Sequence, residues 1–233
     1  MNREFRNYVE STLLGLTIVI LLSLVFLTWI ATIPQYSRFS YYYLFFFLSS
    51  ISLPFIITYF IYKSYNIPIQ VADILDIDLE DKGIKWAIIG SITGFLFGLV
   101  ARFGTYGLRI APKFIYGITS QSVFQAMIAF NIGLNEELFF RGLLFGVLYW
   151  VILLPSIKKG KVSKNLKVIA FLFASIVNSI LFAFYHAYVY GMNSSLVFLF
   201  IFGMIMSIIR YYGDIWGSIM FHAMYDLVFF LVI

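Results

Sequence analysis

The chain has no cysteine. Disulfides, thiolate nucleophiles and Cys-ligated metal sites are therefore outside its chemistry. Charge is scarce too: Asp, Glu, Lys and Arg make up 12% of the residues, against roughly 25% in a soluble domain. Prolines number five, so long helical runs go largely uninterrupted. Alternating segments of about ten residues, the mark of an outer-membrane strand, are not visible, and a β-barrel is not expected.

What is abundant is apolar surface. Hydrophobic residues make up 62% of the 233, and the mean hydropathy is +0.93. A soluble domain carries roughly 45–50% apolar residues. Several runs exceed the ~20 residues needed to span a bilayer. The composition predicts an all-α fold: a polytopic membrane helix bundle of about seven to eight transmembrane helices, forming a single integral membrane domain over 1–233.

The expected spans can be placed in order. The first is Leu13–Ile33, too long for the apolar core of a signal peptide, so no cleavable signal is expected. The second, Tyr41–Tyr62, opens on three tyrosines suited to the interface and contains Pro54, which predicts a kink. Lys63–Lys85 holds Asp73, Asp76, Asp78, Glu80 and Asp81 and reads as a solvated linker. The third span, Trp86–Val100, carries Gly90, Gly94 and Gly98, small residues spaced for close helix approach. Arg102–Thr119 reads as a connection. Thr119–Leu154 runs for 36 residues without proline. That is about 54 Å of helix, too long for a ~30 Å core, so it should project, tilt strongly or break. Pro155–Lys167 is a basic loop with Lys158, Lys159, Lys161, Lys164 and Lys167. Val168–Tyr185, Ser194–Tyr211 and Ile215–Ile233 complete the set.

Seven crossings with the N-terminus inside put 11 of the 16 Lys and Arg on the inner side and 4 on the outer. This orientation follows the positive-inside rule. The net charge of +5 lies mostly in loops, which suits anionic lipid rather than nucleic acid. The expected setting is multi-pass, in the plasma membrane of a prokaryote. The expected partners are membrane lipids and a membrane-associated peptide or protein substrate, with no nucleic acid. The sequence sets no oligomeric state.

Against this background a few polar groups need a reason, because an ion inside a bilayer costs at least a few kcal/mol. Asn135–Gly146 reads NEELFFRGLLFG, with Glu136, Glu137 and Arg141 inside an apolar run. Glu137 and Arg141 are four apart and share a helical face. Glu136 is turned about 100° away, leaving one held carboxylate and one available. The two histidines fall later. His186 follows Phe182 by four residues, and His222 precedes Asp226 by four. Every intramembrane ionisable group thus falls into one of three short stretches. Asn178 and Gln125 read as polar contacts between helices.

If these faces converge, three chemistries are open. A carboxylate and an imidazole can activate water for attack on a carbonyl, with a second imidazole and a neutral donor stabilising the oxyanion. Glu136, His186 and His222 could instead hold zinc, although no HExxH spacing supports it. A proton or ion pathway would use the same groups.

The three stretches resemble the motifs of the CAAX protease and bacteriocin-processing family, also called CPBP or Abi intramembrane proteases, which includes the type II CAAX prenyl endopeptidases. Glu136, Glu137 and Arg141 meet EExxxR, and Phe140 and Gly142 complete EExxFRG. Phe182 and His186 meet FxxxH; His222 and Asp226 meet HxxxN/D. The resemblance covers about Ser120–Ile233, taken as the catalytic core over 120–233. It implies a glutamate-dependent endopeptidase without a required cofactor. Glu136 and His186 would activate water, Glu137 and Arg141 would orient the first group, and His222 and Asp226 would help form the oxyanion site. Zinc is possible but not favoured. Asp226 stands where the prenyl-protein enzymes have Asn. It would donate if protonated, the preferred reading, or orient His222 if ionised. The competing class is non-enzymatic: a transporter-like, bacteriocin-immunity or scaffold protein that keeps the motifs for packing.

Overall fold

Two glycine-bearing helices set the geometry of this computed structural model. It describes residues 81–106, 120–190 and 196–231, with short helical stretches between 48 and 61 and the single residue Ile74. The expected first span, Leu13–Ile33, and much of the second lie outside the described residues. Among those described, the ordered elements are all helices, with no strand.

Helix α1, Asp81–Tyr106, is longer at both ends than the third expected span. It takes in Lys82 and Lys85 from the presumed linker and Arg102 from the presumed connection. Ile84, Ile88, Ile92, Leu96 and Val100 form an exposed stripe at four-residue spacing, fit for lipid. The opposite stripe is glycine, and it lies on α6, Ile215–Leu231. A Cβ on Gly90 would collide with the carbonyl of Gly217, and one on Gly94 with the backbone of Phe221. The two backbones therefore touch, and since Gly98 meets Val228 the helices run parallel.

The 36-residue stretch does not break into loop. It is α2, Ser120–Glu137, then a π-helical segment, Leu138–Leu144, then α3, Phe145–Lys158. Phe140, Arg141, Gly142 and Leu143 are buried in succession, as no one-sided surface helix could be. These four residues are enclosed whichever way their side chains turn. Helix α3 carries Pro155 inside its last turn, and Lys164 already begins α4, Lys164–Tyr190. The basic loop is thereby reduced to 159–163, turned at Gly160 with φ of 70°. Helix α5, Leu196–Tyr212, returns beside α4. Asp214 then starts α6 by accepting the Gly217 amide on Oδ1 at 3.0 Å.

Three stretches among the described residues are long and apolar enough to cross a membrane: Gly83–Arg102, Gln125–Lys158 and Lys164–Tyr188. The fuller count of about seven to eight rests on sequence hydropathy alone. Aromatic side chains from α1, the π segment, α4, α5 and α6 form the main core, with Phe140, Phe182, Phe202 and Phe221 all buried.

Close contact between α1 and α6 makes a direct prediction. Gly94→Leu should destabilise the protein by about 1–3 kcal/mol or more, lowering Tm by roughly 2–10 °C. Ile92→Leu on the lipid stripe should leave Tm unchanged. Thermal unfolding of the two variants in detergent checks this, and equal melting would contradict the packing.

Candidate active site

The end of α2 and the π segment after it bring three ionisable residues together inside the bundle. Glu136, Glu137 and Arg141 are fully buried. Glu137 is held from two helices. Its Oε1 accepts from Arg141 Nη1 at 2.9 Å and lies 2.8 Å from His222 Nδ1. Its Oε2 accepts from the hydroxyl of Ser218. The Arg141 guanidinium also lies over the ring of Phe182, 4.1 Å from its centroid, a cation–π contact in an apolar setting. Nε and Nη2 of Arg141 make no hydrogen bond among the described residues.

A carboxylate can only accept, so the His222 contact places a proton on Nδ1. His222 Nε2 then faces the other acids, 3.9 Å from Glu136 Oε2 and 3.7 Å from Asp226 Oδ2. On α4, His186 Nδ1 lies 3.0 Å from the Phe182 carbonyl, which likewise fixes the proton on Nδ1. Its Nε2 points to Glu136 Oε2 at 3.5 Å. Glu136 Oε2 thus sits between the two imidazoles, nearer to His186 than to His222. Aromatic rings wall the group. The ring of Phe182 lies tilted against His186 at 4.1 Å, and Phe202 meets His222 edge-on at 5.5 Å.

All six residues singled out in the sequence therefore lie around one point: Glu136, Glu137, Arg141, His186, His222 and Asp226. Asp226 lies beside the imidazole, as its spacing predicts, but on the Nε2 side; the group at Nδ1 is Glu137, which the sequence reading did not pair with His222. Asn178, expected to bridge helices, is buried with neither amide atom bonded among the described residues. No group of three His, Asp or Glu side chains among the described residues has the geometry to hold a metal ion.

Residues 118–228 match the family model described as type II CAAX prenyl endopeptidase Rce1-like. This part of the chain belongs to the CAAX protease family. No curated protein and no solved structure matches the chain. The CAAX protease family is a membrane-embedded protease family; the match supports a peptidase at family level and, with the three long apolar helices, an integral membrane protein. All three motif stretches fall within the matched residues.

Ser218 escaped the sequence reading, although a signal was present. It stands one turn before His222, as His222 stands one turn before Asp226, so α6 presents a polar stripe on one face. Removing it should leave Oε2 of Glu137 without that donor. Ser218→Ala is expected to destabilise the protein by about 1–3 kcal/mol. Ser207→Ala, which removes only a bond to the Gly203 carbonyl of its own helix, should change stability little. Unfolding of both variants tests the difference.

Proposed function

We propose that the protein is an intramembrane endopeptidase in which Glu136 and His186 activate a water molecule for attack on a peptide carbonyl. The observation that carries the reading is the pair of acceptors facing one another. With the proton of His186 held on Nδ1 by Phe182, Nε2 presents a lone pair, 3.5 Å from the carboxylate oxygen of Glu136. A water between them donates one hydrogen to each and turns its oxygen lone pair outward. Proton transfer to this pair as the oxygen bonds to the carbonyl carbon is general base catalysis. The same proton returns to the departing amine when the tetrahedral intermediate collapses.

His222 stabilises the oxyanion. In its doubly protonated form it keeps Nδ1–H on Glu137 and offers Nε2–H to the developing charge. Glu137, fixed by Arg141 and Ser218, sets the angle of that ring, as the carboxylate of a catalytic triad orients its histidine. Asp226, on the Nε2 side of His222, is assigned the role of a protonated donor beside the oxyanion, where Asn would serve equally. The substrate is a membrane-associated or prenylated CAAX-type peptide or protein, and the setting is the plasma membrane of a prokaryote.

The test is Glu136→Gln, which keeps the shape and removes the base. Purified protein in lipid nanodiscs is assayed against quenched-fluorescent membrane peptides, prenylated CAAX-type peptides among them. Turnover should fall by about 10²–10⁴-fold with Tm little changed. A Glu136→Gln variant that cleaves at the wild-type rate would overturn the reading. Asp226→Asn should retain most turnover; a loss of roughly 100-fold or more would reject the donor role.

A further inference from the structure

Six buried polar atoms beside the catalytic group make no hydrogen bond among the described residues. They are Oγ of Ser175 and Ser179, Oδ1 and Nδ2 of Asn178, and Nε and Nη2 of Arg141. All four residues are at 0% exposure. A helix serine can return its hydroxyl to the carbonyl one turn back. Ser207 does so to Gly203 and Ser91 to Ala87; Ser175 and Ser179 do not. Leaving a buried donor or acceptor unsatisfied costs its full desolvation. Six together would rival the whole stability of a folded domain. These atoms therefore have partners other than protein.

Helix geometry gathers them. Phe171, Asn178 and Phe182 are seven and four residues apart on α4, within about 40° of one another around its axis. Both rings pack on one continuous stretch of chain. Phe171 meets Phe145 at 6.2 Å, and Phe182 meets Phe140 at 5.2 Å. Asn178 lies between the two rings and faces the same stretch, one turn from the ring that carries the Arg141 guanidinium. Ser175 is one turn before it on that face. Ser179 sits at the seam with α5, where a Cβ on Gly203 would come within 2.9 Å of its Oγ. Ala174, also buried, completes a face of short side chains, polar and small enough for ordered water.

The donor set selects the occupant. A cation would be repelled by the guanidinium. An anion would be opposed by Glu136 and Glu137, both buried close by. Water both donates and accepts, and so satisfies all six atoms.

We propose that α4 and Arg141 enclose a buried water site behind the catalytic group, and that Asn178 positions Arg141 through it. One water accepts from Arg141 and donates to Oδ1 of Asn178. Nδ2 of Asn178 donates to a second water, which donates in turn to Ser175. Glu137 takes only Nη1 of the guanidinium, and Phe182 covers its face; water holds the nitrogens left over. Arg141 fixes Glu137, and Glu137 fixes the ring of His222. Asn178 thus acts on the reaction through others and touches no reacting atom. Its role in the reaction rests on the peptidase reading; the water site does not.

Asn178→Leu, close in volume, gives opposite signs for a wet and a dry site. In a dry site leucine removes two unsatisfied atoms and Tm rises. In a wet site it strands Arg141 and Ser175, and Tm should fall by roughly 2–10 °C. Asn178→Ser should melt above Asn178→Ala, although alanine is the better helix former. Hydroxyl-radical footprinting by X-rays, on the wild-type protein in nanodiscs, needs no variant to fold. Phe182, at 0% exposure, should be oxidised several-fold faster than Phe221, at 2%, because radicals form from the water beside it. A rise in Tm for Asn178→Leu, Asn178→Ala melting at or above Asn178→Ser, or equal oxidation of the two rings overturns the water site. For the positioning role, kcat of Asn178→Leu should fall by about 10–100-fold with KM unchanged, and Asn178→Ser should restore most of it. Unchanged kcat overturns that role. Melting and footprinting need no turnover, so a protein that passes both and cleaves nothing contradicts the peptidase reading while upholding the water site.

Discussion

Glu137 and Arg141 meet across one turn of a fully buried segment, and the rest of the site depends on that meeting. A lone carboxylate at this depth would cost several kcal/mol. Here it is offset by a guanidinium at 2.9 Å, an imidazole at 2.8 Å and a serine hydroxyl. The guanidinium is stabilised in turn by the face of Phe182. Because Phe182 also supplies the carbonyl that fixes His186, one residue links the ion pair to the second helix. The three motifs are thus one network with Glu137 at its centre.

That network leaves Glu136 with a different task. Adjacent carboxylates on one helix cannot point the same way, so the neighbour of the held glutamate turns toward His186 and His222. The π-helical segment begins immediately after this pair. Such insertions recur at functional sites, and here one coincides with four consecutive buried residues. The close backbone approach of α1 to α6 has a similar consequence. It seats the polar stripe of α6 in the bundle interior, one helix diameter from lipid.

The helical class and the site residues could be read from the sequence because their signals are local. Apolar runs report helices, and i,i+4 spacing reports shared faces, whichever helices those faces later meet. What could not be read depends on partners distant in sequence. Glu137 and His222 are 85 residues apart, so nothing local indicated that Glu137, rather than Asp226, would hold Nδ1. Ser218 looked like an ordinary helix serine until its partner came from another segment. Lys82, Lys85 and Arg102 were assigned to loops because charge ends an apolar window, whereas helix α1 continues through them. Arg210, near the end of α5, has no local signal for its partners either. It is buried, bonded to the Ile74 carbonyl at 3.0 Å and set over the ring of Phe145.

A double-mutant cycle on Glu137→Gln and Arg141→Met, read by unfolding in lipid nanodiscs, tests the central interaction most directly. Each single variant should lose about 3–5 kcal/mol, because it leaves the partner charge buried without compensation. The double variant should lose much less than the sum, with an interaction energy of at least about 2 kcal/mol. Losses that add within about 0.5 kcal/mol would show that the pair does not hold the site together.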